Sequence, residues 1–100
     1  MRSFSLESTS PEQFVRKLQK LIGLSKLKGI ATFELKENHV VFTMNSLGTS
    51  TITYDVETMG EGFHALRPKE KIAFTHFALK GQVENWFYEK IQSLGGQFDR

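Results

Sequence analysis

Apolar and polar residues alternate with a period of two from Ile30 to Val56, and this pattern predicts three strands of one antiparallel meander. Ala31, Phe33 and Leu35 alternate with Thr32, Glu34 and Lys36. A two-residue turn at Glu37-Asn38 sets Leu35 opposite Val40, Phe33 opposite Phe42 and Ala31 opposite Met44. A three-residue turn at Leu47-Gly48-Thr49 is expected to pair Met44 with Ile52, Phe42 with Tyr54 and Val40 with Val56. A slip of one residue would turn a whole apolar row to water, so the pattern constrains the register. The other face carries Thr32, Glu34, Lys36, His39, Val41, Thr43, Thr51, Thr53 and Asp55, and is expected to remain solvated.

The flanking segments read as follows. Phe4 and Leu6 alternate with serines and predict a short first strand over Ser3 to Glu7. Ser10-Pro11-Glu12-Gln13 is a helix start, with Ser10 as N-cap, Pro11 in the first turn and Gln13 three residues on. Phe14, Leu18, Leu21 and Ile22 then share one helix face. Gly23 is the expected stop, and Leu24 to Gly29 a connector. Gly60, Gly62 and Pro68 punctuate Glu57 to Lys69, which reads as a long loop. Lys71 to Leu79 reads as a strand with two apolar faces: Ile72, Phe74, His76 and Ala78 on one, Ala73, Thr75, Phe77 and Leu79 on the other. Gln82 to Leu94 is a second amphipathic helix with a stripe of Val83, Trp86, Phe87, Ile91 and Leu94. Gly95-Gly96 ends it, and 97–100 is a short tail. The order β-α-β-β-β-β-α predicts a single α+β domain over 1–100. Its architecture is a two-layer sandwich, an antiparallel sheet of four to five strands with two helices on one face.

Composition sharpens this reading. One hundred residues suffice for one core, burying roughly 65% of the unfolded surface. Nine of the twelve aromatics are Phe, a side chain that ends in cores or interfaces. There is no cysteine, which excludes disulfides, thiolate nucleophiles and cysteine metal sites. The first residues lack the apolar run of a secretory signal, and nothing approaches the ~20 apolar residues of a membrane span. A soluble, cytoplasmic protein is the expectation.

Candidate chemistry is sparse. His39, His64 and His76 are isolated, and no spacing suits a metal. His76 is the one histidine on an apolar face. A buried, hydrogen-bonded role is the plain alternative to catalysis there. Asp55 and Glu57 share one side of a strand end and could hold a hard cation, or stand as two solvated acids. The threonine row is ordinary strand chemistry. Gly60-Glu61-Gly62 lacks the context of a phosphate loop. No catalytic residue, metal or cofactor is therefore assigned.

Two surfaces remain. Between Phe14 and Gly29 lie five cations (Arg16, Lys17, Lys20, Lys26 and Lys28) and no acid, within a net charge of only +2. They read either as an anion-binding stripe for nucleic acid or an anionic surface, or as a solvated helix face. Phe63, His64, Leu66 and Arg67 set apolar groups beside one cation and read either as a partner contact or as closure of the core. Phe77 and Leu79 offer a second apolar face, flanked by Trp86 or Tyr88. If that strand lies at an edge, it pairs with a second copy into a homodimer.

The element order resembles one family. The strand running through Ala78-Leu79-Lys80-Gly81 into Val83-Glu84 is similar to that of the small bacterial polyhydroxyalkanoic acid system proteins. In these a strand and a cationic amphipathic helix precede a β-meander, and a Lys-Gly-x-Ile/Val-Glu stretch opens the last helix. This chain departs from the pattern in its Gly60–Lys69 insertion and its lower density of Glu and Arg. The resemblance implies a non-enzymatic polypeptide associated with storage-polymer granules, with no catalytic residues to carry over.

The leading expectation is thus a non-enzymatic binding module that buries an apolar surface against a protein partner, itself or a hydrophobic ligand. Nucleic-acid or anionic-surface binding through the basic stripe is second. A small enzyme with a lidded pocket near His76, with Asp55 or Tyr54 at hand, is third.

Overall fold

The computed structural model describes residues 1–99, so Arg100, the end of the expected tail, lies outside the described residues. Ser10 caps the first helix as its sequence requires, its hydroxyl accepting from the Gln13 N–H at 3.2 Å. Such a cap stabilises a helix by about 1 kcal/mol. Helix α1 runs Pro11–Gly23, ending at the expected stop, and buries Phe14, Leu18 and Ile22. Strands β1 (Phe4–Leu6), β2 (Ala31–Lys36), β3 (His39–Asn45), β4 (Thr49–Met59), β5 (Gly62–Lys71) and β6 (Gln97–Phe98) form one antiparallel sheet in the order β2-β3-β4-β5-β1-β6. A 3-10 helix (Phe74–Leu79) leads directly into α2 (Lys80–Ser93).

Phe33 shows that both helices cover the same face of this sheet. Its ring meets Phe14 of α1 at 6.0 Å and Phe87 of α2 at 5.3 Å, both edge-on. Phe42 lies 4.2 Å from Phe87 in the same orientation. At the other side of the core, Phe4 touches Phe14, Tyr54 and Phe63. Each fully buried side chain of this kind contributes roughly 1.5–3 kcal/mol. Tyr54 is buried with them and satisfies its hydroxyl by donating to the Arg2 carbonyl at 2.8 Å. Burial, assisted by Tyr88, Glu70 and Glu84, pushes this phenol well above its ordinary range. The edge strand β2 has one of its outward N–H groups covered as well, since Phe33 N donates to Gln19 Oε1 at 2.8 Å.

The α+β sandwich is as expected, but the sheet has six strands rather than four to five, and three details differ. The β2–β3 register is as read, with Leu35 opposite Val40 and Phe33 opposite Phe42. The β3–β4 register is displaced by two: Phe42 lies opposite Ile52, Val40 opposite Tyr54 and Met44 opposite Ser50. The loop is Ser46-Leu47-Gly48, one residue earlier than expected, and a one-residue shift of the loop moves the pairing by two. Every side chain therefore keeps its face.

The second difference is that 57–69 is not a loop. It is the distal half of the β4–β5 hairpin, turning at Gly60-Glu61. Its punctuating residues each have a place in the sheet. A Cβ at Gly62 would run into the backbone of Leu6 and Glu7, so β1 can approach only a glycine there. Arg67 and Pro68 form a bulge between the Thr53↔Lys69 and Asp55↔Leu66 pairs, where a proline is tolerated.

Finally, Lys71 to Leu79 is not a strand. Ala73, His76 and Leu79 recur every third residue, which suits a 3-10 helix. His76 then turns inward, while Phe74 and Phe77 turn out. A run apolar on both alternating faces carries no period-two information, and the sheet already had its fourth meander strand in β5.

Candidate functional site

The connector after α1 begins with Ser25, whose hydroxyl donates to the Ile22 carbonyl at 2.8 Å and accepts from the Leu27 N–H at 3.0 Å. That turn, with Ile30 N bonded to Leu27 O and Asn45 N to Ile30 O, fastens the connector along the end of β3. Across from it stand the 3-10 helix and the first turns of α2. Between them lies an open groove of about 330 Å³. Leu27, Ile30, Met44, Leu79, Val83 and Trp86 line it, with Ser25, Lys26, Ser46, His76 and Gln82 as its polar members. This is near the lower bound of ligand pockets, roughly 300–1,000 Å³.

His76 holds one wall in place. It is 3% exposed, and its Nε2 lies 2.6 Å from the Ser46 carbonyl oxygen. A carbonyl only accepts, so Nε2 carries the proton and donates. Nδ1 lies 2.5 Å from Ser50 Oγ, and the same Oγ accepts from the Ala73 N–H at 2.8 Å. With the Ser50 hydroxyl donating to Nδ1, every polar atom of the pair is satisfied. Thr75 adds a further tie, donating to the Leu47 carbonyl at 2.6 Å. The 3-10 helix is thereby clasped to the β3–β4 hairpin tip.

A serine within hydrogen-bond reach of a histidine that is itself oriented by a third group is also the outline of an activated nucleophile. Here Ser50 is buried and its oxygen is occupied by Ala73 N–H. Tyr54 is sealed in the core. Asp55 lies on the open face, bound by Arg67 Nε at 2.8 Å and 3.3 Å from His39 Nε2. The hydrogen bond from Arg67 holds the Asp55 carboxyl below the usual carboxylate range. Arg67 also reaches Glu57 at 3.6 Å, so a guanidinium, and not a metal ion, bridges the two acids. Among the described residues no three His, Cys, Asp or Glu side chains gather to hold a metal ion.

The residues of the 63–67 segment are dispersed by the strand. Phe63 is fully buried in the core, Leu66 is half-buried, and His64 points out, 3.6 Å from Asp99. Arg67 belongs to the charge cluster just described. Phe77 is exposed, while Leu79 and Trp86 enter the groove wall. Tyr88 instead stacks edge-on against Phe98, with Arg2 over both rings. Arg16, Lys17, Lys20, Lys26 and Lys28 are all exposed, and none forms an ion pair among the described residues. Only Lys26 of the five lines the groove. The Lys80–Glu84 stretch forms the first turn of α2, where Lys80 bridges Glu70 at 3.5 Å and Glu84 at 3.6 Å.

Sequence reasoning missed Ser50 and the connector residues Leu27 and Ile30. Ser50 was discoverable, because extending the inward phase of Ile52 and Tyr54 by two residues puts it on the buried face. The connector offers no period, and only the tertiary path shows that Leu27 and Ile30 line the same groove as Val83 and Trp86. No helix is long and apolar enough to cross a membrane. No protein-family model, curated protein or solved structure matches the chain.

Proposed function

We propose that this protein is a non-catalytic binding module that takes up an apolar group in the groove between the 24–30 connector, the 3-10 helix and α2. One observation carries the reading. Among the described residues six large hydrophobics are exposed; Leu79 lines the groove, and Leu24, Leu47, Phe74 and Phe77 each lie within two residues of a lining position. Folding alone does not gather exposed apolar side chains at one end of a molecule, whereas association does. The clasp through His76 and Ser50 supports the reading by keeping the wall formed, so that little ordering is needed on binding. A catalytic role for that pair has no comparable support, because the Ser50 oxygen faces the Ala73 N–H rather than the groove.

Trp86 is the only tryptophan and lines the groove, so it reports occupancy. A neutral brominated medium-chain alkanol should quench its emission saturably. Replacing the exposed Leu79 by lysine should weaken that quenching about ten-fold without altering the circular dichroism spectrum. Quenching that is absent, or unchanged in Leu79→Lys, would contradict the proposal.

A further inference from the structure

We infer that the surface around this groove docks on an anionic lipid bilayer, with Leu24, Leu47, Phe74 and Phe77 entering the interface and an acyl chain reaching the groove. The inference rests on the binding-groove reading and names the occupant. Its first support is charge. The segments that frame the groove, 20–30, 44–50 and 71–86, contain Lys20, Lys26, Lys28, Lys71 and Lys80 against a single acid, Glu84. Lys80 is engaged by Glu70 of β5 and by Glu84 one turn along its own helix, and the other four lysines have no ion-pair partner among the described residues. The opposite end of the meander, with its turns at Glu37-Asn38 and Gly60-Glu61, holds Glu34, Glu37, Asp55, Glu57 and Glu61 against Lys36 and Arg67, and so carries an excess of acid. A chain polarised this way orients its apolar end toward a negative surface.

The second support is the form of the apolar residues. Leu24, Leu47 and Phe74 are 87%, 88% and 89% exposed and come from three separate segments. Leu47 also has a φ of +55° at the hairpin tip, a left-handed position where folding alone favours glycine or asparagine. A peptide lying in the groove would meet its walls, but not these three outward apices. A fluid interface accepts such side chains without matching pockets. Apolar insertion combined with a basic patch is the pair of signals that gives stable interfacial attachment, where either alone is marginal.

The test is co-sedimentation with phosphatidylcholine vesicles, with and without phosphatidylglycerol, and with an acidic amphipathic peptide as competitor. Wild type should bind the anionic vesicles at least about ten-fold more tightly than the neutral ones, and lose that preference in high salt. The double variants Leu47→Ser/Phe74→Ser and Lys26→Gln/Lys28→Gln alter only exposed residues, and each should weaken binding by about ten-fold or more. Failure to bind anionic vesicles, equal binding to neutral ones, wild-type behaviour of both variants, or preference for the peptide would each overturn the inference. Alkanol quenching of Trp86 in the same samples separates the two proposals. If it persists without vesicle binding, only the bilayer is wrong; if it is absent too, the groove reading falls with it.

Discussion

Ser50 Oγ and His76 Nδ1 lie 2.5 Å apart and join the hairpin tip to the 3-10 helix across 26 residues of sequence. The link is buried, so its loss is costly. Ser50→Ala would leave both Nδ1 of His76 and the Ala73 N–H without a partner. The expected destabilisation is about 1–3 kcal/mol by denaturant unfolding. Amide exchange at Ala73 and His76 should accelerate beyond the global change. An unaltered unfolding midpoint would mean that the clasp does not hold the groove wall.

The two populations of phenylalanine should respond differently to truncation. Phe33 touches Phe14, Phe42 and Phe87 and ties both helices to the sheet, so Phe33→Ala should cost about 3–5 kcal/mol. Phe74 is exposed, and Phe74→Ala should change stability by no more than about 0.5 kcal/mol. Comparable losses at the two positions, in the same unfolding assay, would show that Phe74 is part of the core.

Asp55 supplies a pH prediction. The Arg67 hydrogen bond, with Coulombic help from Arg67, His39 and Lys69, lowers its pKa in the folded protein below the ordinary aspartate value. A depressed folded value means that the pair contributes stability above the unfolded pKa. That contribution is lost as pH falls through the folded one. Carbon-13 titration of the carboxyl should follow this order, and Arg67→Gln should bring the Asp55 pKa back up. A wild-type titration at or above the ordinary value would contradict the pairing.

The legible parts of the fold were those where side chains alternate cleanly. Phe33, Phe42, Ile52 and Tyr54 face inward as their phase demands, and Ser10-Pro11 starts α1 where its chemistry requires. What the pattern could not resolve was chain direction within apolar or glycine-rich stretches. Gly62 and Pro68 read as loop breakers because their reasons lie in other segments: the approach of β1 in one case and a bulge opposite Tyr54 in the other. Phe74 to Leu79 carries apolar residues at every phase, so neither a strand nor a 3-10 helix is excluded locally. The groove was legible only in part, through Lys26, His76, Leu79 and Trp86, since much of its wall comes from the aperiodic connector and from a hairpin end whose register is displaced by two.

Mapping the alkanol by heteronuclear NMR tests the central claim most directly. Titration should shift the signals of Leu27, Ile30, Met44, Leu79, Val83 and the Trp86 indole together, with one saturating curve. Shifts centred on Phe63 to Arg67, or none at all in a folded sample, would contradict the account.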